Sequence, residues 1–147
     1  MSIGFWLKHQ HTLINHLYIT TAGHCYDNEN HDKNYFNHVP WNSKSLGLSI
    51  GPIEYESREV GYYDFAVISV ENENLVPTFI IRNDDADQYK ELIIINGGPI
   101  SSHYAHICKS GFATHLTCGY VLGFEGVFYG IKEFDKTVQL IVTDMFF

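Results

Sequence analysis

No apolar run in this chain approaches the roughly 20 residues that span a bilayer as a helix, so no membrane partner is expected. Basic residues are also few. Nine Lys plus Arg stand against seventeen Asp plus Glu, a formal charge of -8, and no basic cluster interrupts the acidic balance. That distribution excludes a phosphate-tracking surface, and nucleic acid is not an expected partner. Met1-Ser2-Ile3-Gly4-Phe5-Trp6 lacks the basic and then apolar layout of a signal peptide, and Asn-x-Ser/Thr acceptors are missing throughout. Helical periodicity over any long segment is missing as well, which removes amphipathic helices from the expected architecture. Cysteine is scarce and odd in number. With only Cys25, Cys108 and Cys118, at least one thiol has no internal disulfide partner.

What the chain does have is apolar and aromatic content. Hydrophobic residues make up 45% and charged residues 18% of the 147, with ten Tyr and ten Phe, a balance that favours a folded domain over disorder. This length accommodates one domain, or one and a half small barrels. Short stretches rich in β-branched and aromatic residues recur between turn residues. They predict strands at Ile3 to Lys8, Leu13 to Thr20, Leu46 to Ile53, Phe65 to Val70, Thr78 to Ile81 and Leu92 to Ile95. Further strands are expected at Tyr104 to Lys109, Thr114 to Phe124, Gly126 to Ile131 and Thr137 to Thr143. Asp27 to Asn34 is polar and Asn-rich and reads as a loop. The acidic run Asn83 to Gln88 reads as a link between two halves, with a boundary near Asp85.

Two short segments carry chemistry. Leu17-Tyr18-Ile19-Thr20 runs into the small residues Ala22 and Gly23, which allow a tight turn that presents His24 beside Cys25. A general base needs such a fixed imidazole, because proton transfer demands hydrogen-bond distance and a pKa near the working pH. Forty residues later, Asp64 stands at the lip of the apolar stretch Phe65-Ala66-Val67-Ile68-Ser69-Val70. An acid there is either an orienter for an imidazole or an ordinary strand-initiating residue.

A third segment, Cys108-Lys109-Ser110-Gly111-Phe112-Ala113-Thr114-His115-Leu116-Thr117-Cys118-Gly119, places two cysteines ten positions apart around a turn signal, so that they can face each other across a β-hairpin. The alternative is a zinc site formed by His106, Cys108, His115 and Cys118. That spacing matches none of the common structural-zinc patterns, and no metal is expected.

Thr20-Thr21-Ala22-Gly23-His24-Cys25 resembles the Thr-Ala-Ala/Gly-His-Cys signature of the chymotrypsin superfamily, and the run from Asp64 to Val70 resembles its Asp-x-Ala-x-x-x-Val segment. The stretch from Cys108 to Gly119 is similar to Cys-x-Ser-Gly-x-Thr-Thr-Gly-x-x-Cys-Gly of the streptogrisin and α-lytic protease branch, with departures at Ala113 and His115. The resemblance implies an all-β, chymotrypsin-like double β-barrel. Its first barrel, six-stranded and nearly complete, would cover residues 1–83. A linker at 84–88 and an incomplete second barrel over 89–147 would follow. It further implies a secreted serine endopeptidase that acts on a peptide or protein substrate without a cofactor, with His24 as general base, Asp64 as its orienter and a Cys108 to Cys118 disulfide.

That branch begins its first strand Cys-Ser-x-Gly-Phe and pairs the cysteine with the one after the catalytic histidine. Here the matching run is Met1-Ser2-Ile3-Gly4-Phe5, so Cys25 is expected to be unpaired and the chain to start one strand late. The nucleophile is expected in Gly-Asp-Ser-Gly-Gly, which the sequence does not contain. Ser101 and Ser102 precede the cysteine hairpin, whereas the family's serine follows it, so neither is the nucleophile. Family spacing places that serine beyond Phe147, and the chain alone is expected to be inactive. A non-catalytic homologue with a binding or regulatory role is the alternative. A ligand-binding β-barrel of other ancestry is a weaker one, because alternating Tyr and Phe on strands more often form core and cross-strand pairs.

Overall fold

The computed structural model describes residues 4–8, 16–30, 34–59, 63–127 and 139–145. Among the described residues the regular secondary structure is strand, apart from 3-10 conformation at Gly23–Cys25 and at Asn34. The chain divides into two compact units, Met1–Pro77 and Thr78–Phe147.

Trp6–Lys8 (β1), Leu17–Thr21 (β2), Tyr35–Asn37 (β3), Ser49–Glu59 (β4) and Tyr63–Ser69 (β5) form the first unit's sheet. Their order is β1-β2-β5-β4-β3, with every neighbouring pair antiparallel. Two-residue alternation decides which side chains go inward. Ile19 and Thr21 of β2 and Ala66 and Ile68 of β5 are buried, and the register sets Ile19 opposite Ile68 and Thr21 opposite Ala66. Phe36, Ile50 and Ile53 complete the core, with Trp6, Cys25, Tyr26, Val70 and Leu75 packed against it. Each fully buried Ile contributes roughly 1.5–3 kcal/mol relative to exposure. The polar loop after the histidine turn is closed by a buried side chain. Asn34 Oδ1 accepts the Asp27 N–H at 2.7 Å, and its amide donates to the Asp27 carbonyl at 2.9 Å.

The six-stranded barrel expected over residues 1–83 is not what the described residues form. Five strands make an open sheet, with β1 and β3 at its two edges. The last strand expected within that range, Thr78 to Ile81, is found as Ile80–Arg82 (β6), which pairs instead with Glu91–Ile93 (β7) in a separate two-stranded sheet. The cause is local. The acidic run expected as a linker is the turn of this hairpin, closed by Asn83 N–H to the Lys90 carbonyl (2.8 Å), the Asn83 amide to the Tyr89 carbonyl (3.0 Å) and Lys90 Nζ to the Asp84 carbonyl (2.7 Å). A contact made within a few residues costs less chain entropy than one across the unit.

His106–Gly111 (β8), His115–Val127 (β9) and Gln139–Thr143 (β10) form an antiparallel three-stranded sheet in the order β10-β9-β8. The break expected between Phe124 and Gly126 is absent, because β9 runs on through Val127. Gly126 serves close packing there rather than a turn: a methyl group on it would lie 2.4 Å from Val142 Cγ2 of β10. Among the described residues, Val121 is the buried hydrophobic side chain of the second unit. No described helix is long and apolar enough to cross a membrane.

Candidate functional site

Antiparallel pairing of β2 with β5 builds the site. Thr21, the last residue of β2, lies opposite Ala66. The chain then turns through Gly23–Cys25, with Cys25 N–H bonded to the Ala22 carbonyl (3.2 Å) and Tyr26 N–H to the Gly23 carbonyl (3.0 Å). Three residues beyond Thr21 on one strand and two before Ala66 on the other bring His24 and Asp64 together. His24 Nδ1 is 2.6 Å from Asp64 Oδ2, and the His24 backbone N–H donates to Asp64 Oδ1 at 2.8 Å. Both residues named by the sequence therefore meet, in the geometry an orienting carboxylate requires.

Gly23 makes that geometry possible. A methyl group at this buried position would lie 2.8 Å from the Ser57 carbonyl oxygen, 2.8 Å from Arg58 Cγ and 3.0 Å from the Phe65 carbonyl oxygen. The turn rests directly on the Ser57 to Phe65 cross-strand pair, a fit that only glycine allows. Arg58 was not singled out in the sequence. It is the cross-strand partner of Asp64, yet its Nε donates to Glu56 (3.1 Å) and its guanidinium carbon lies 6.0 Å from the Tyr26 ring centre, so Asp64 is left to His24. A single basic residue among Glu54, Glu56 and Glu59 was the available signal.

Burial alone would raise the Asp64 pKa. The His24 ring, the His24 and Gly23 backbone N–H groups and the charge of a protonated imidazole together outweigh it and hold the carboxyl below its ordinary value. The His24 side chain is 72% exposed and that of Asp64 50%, so the ring is open to an incoming group. Nε2 of His24 has no hydrogen-bond partner among the described residues. An imidazole held at Nδ1 by a carboxylate keeps its proton there, leaving Nε2 to accept one.

Two other histidines resemble parts of this arrangement. His16 Nε2 lies 2.6 Å from the buried hydroxyl of Ser69, a contact that satisfies a polar group inside the sheet. His115 Nδ1 bonds Asp85 in the second unit, and its backbone adopts φ 51°, the left-handed region, at the position where the resembled branch carries glycine.

Cys108 and Cys118 face each other across β8 and β9 with their sulfurs 2.09 Å apart, as a disulfide. Cys25 is the free thiol among the described residues, partly buried, with the Thr21 hydroxyl 4.0 Å from its sulfur. Met1, Ser2 and Ile3, which the resemblance aligns with the start of the branch's first strand, lie outside the described residues. Ser101 and Ser102 are exposed in the second unit. No family model, no curated protein and no solved structure matches the chain.

Proposed function

We propose that His24 and Asp64 are the general base and orienting carboxylate of a chymotrypsin-like serine endopeptidase. The observation that carries this reading is the double engagement of His24 by Asp64, through ring and backbone, at 2.6 and 2.8 Å. In the reaction, Nε2 of His24 takes the proton of a serine hydroxyl as it attacks a peptide carbonyl, then returns it to the leaving amine. Asp64 stabilises the imidazolium in between, and water repeats the cycle on the acyl group. The fold that accompanies this function is the double barrel, with the five-stranded sheet as an opened first barrel and β8 to β10 as part of a second. The Cys108 to Cys118 bridge supports an oxidising, extracellular setting.

The serine must arrive on a Gly-Asp-Ser-Gly-Gly turn, whose backbone N–H groups also form the oxyanion hole, and the 147 residues hold no such turn. Loss of a triad nucleophile removes about six orders of magnitude in rate, so the proposal is tested on the chain extended by a Gly-Asp-Ser-Gly-Gly half-barrel. A fluorophosphonate probe should label the added serine, and His24→Ala should abolish labelling. Labelling that ignores His24 overturns the assignment. The second reading is a non-catalytic homologue with a binding or regulatory role. An extended chain that stays unlabelled while His24 and Asp64 remain bonded would select it.

A further inference from the structure

The outward face of the β8 to β9 hairpin gathers three metal-ligating side chains. Alternation along β8 puts His106 and Cys108 on one face, and the register sets Cys118 directly opposite Cys108 and Tyr120 opposite His106. One ligand atom from each of His106, Cys108 and Cys118 lies within 4.8 Å of the other two, and all three residues are exposed. The Tyr120 ring packs 5.3 Å from that of His106, limiting where the imidazole can turn. His115, the fourth residue of the zinc set weighed from the sequence, is not part of this cluster and bonds Asp85.

We infer that this face is a redox-gated site for a thiophilic divalent cation, zinc by ligand class, bound by His106 and the thiolates of Cys108 and Cys118 once the bridge between them is reduced. Two thiolates and one imidazole form a common zinc-binding set, and solvent supplies the fourth, open position. Tetrahedral coordination at Zn–S distances near 2.3 Å places two sulfurs about 3.8 Å apart, a separation that directly opposed strand residues reach by small side-chain rotations. The reduction balances with a dithiol as electron donor. Its two thiols pass two electrons and two protons to the S–S bond and close into a disulfide, leaving Cys108 and Cys118 as thiols. The cation then displaces both thiol protons to solvent. The hairpin is cross-linked in either state, by sulfur in oxidising surroundings and by metal in reducing ones. The inference is independent of the protease reading, since it uses no residue of the His24 site.

The test uses the full chain reduced with a water-soluble phosphine, which takes its oxygen from water as the sulfurs take the protons, and titrated anaerobically with Co2+. One equivalent should give thiolate-to-cobalt charge-transfer absorption that Zn2+ abolishes. Zinc should also leave only Cys25 open to iodoacetamide, where the metal-free reduced chain exposes all three thiols. His106→Ala should weaken Co2+ binding by more than about 100-fold, because loss of a ligand exceeds the 10- to 100-fold typical of an outer-shell partner. His115→Ala should leave it unchanged. Absence of the charge-transfer band, alkylation of three thiols in the presence of zinc, or equal losses in the His106 and His115 variants would each overturn the assignment.

Discussion

Asp64 holds His24 at two points, the ring nitrogen Nδ1 at 2.6 Å and the backbone N–H at 2.8 Å, so one carboxylate fixes both the turn and the imidazole it presents. The arrangement predicts the tautomer. In neutral His24 the proton resides on Nδ1, and in Asp64→Ala it moves to Nε2, the site preferred by an unrestrained imidazole. Nitrogen-15 chemical shifts of the ring distinguish the two forms, and an unchanged tautomer in the variant would sever the pair functionally.

Acid should weaken the same contact. The Asp64 carboxyl is held below its ordinary value in the folded chain, so its contribution is complete above the ordinary carboxylate range and is lost as pH falls through the folded pKa. Both groups are largely exposed, and the contribution stays under about 1 kcal/mol. Denaturant midpoints of the native chain and Asp64→Asn should differ at neutral pH and converge in strong acid. A gap that widens on acidification contradicts the assignment.

Gly23→Ala tests the turn. Its methyl group would meet two backbone carbonyl oxygens that cannot retreat without disturbing the β4 to β5 pair. The expected loss is about 1–3 kcal/mol, with displacement of His24 as its local sign. Urea unfolding measures the first. A perturbed His24 ring resonance at native conditions reports the second.

Asn34→Ala removes a buried amide that bonds both backbone groups of Asp27. Leaving those groups unpaired should cost about 1–3 kcal/mol. Asn34→Asp keeps the acceptor but loses the donor, and should fall between alanine and the native chain in thermal midpoint.

Reducing the Cys108 to Cys118 bridge without added metal should cost the second unit about 2–3 kcal/mol, the chain-entropy value for so short a loop. Denaturation curves with and without reductant, in the presence of a chelator, give the difference. No change in midpoint would show that the hairpin is held by its strand pairing alone.

The site was more legible in the sequence than the architecture was. Ala22, Gly23 and the apolar run after Asp64 each act within a few residues, and local chemistry is what a sequence displays directly. Strand existence was readable for the same reason, since Ile19, Ala66 and Ile68 alternate with the less buried Tyr18, Thr20, Phe65 and Val67. Barrel closure was not, because it depends on whether β6 finds a distant partner or the adjacent β7, a competition of loop entropies that no single segment records. Tyr35–Asn37 was missed as a strand because three residues are too few for alternation to show. The same brevity hid the role of Asn34, which reads as another polar loop residue and is in fact buried.

The thiol of Cys25 sits immediately beyond His24 and packs against the core beneath the turn. Its rate of alkylation is therefore expected to report on that turn: were Gly23–Cys25 to lift, the sulfur would gain full access and the imidazole would leave Asp64 in the same excursion. A reagent trapping Cys25 would arrest the molecule with its histidine out of place, and substitutions that stiffen the turn should slow the capture in proportion.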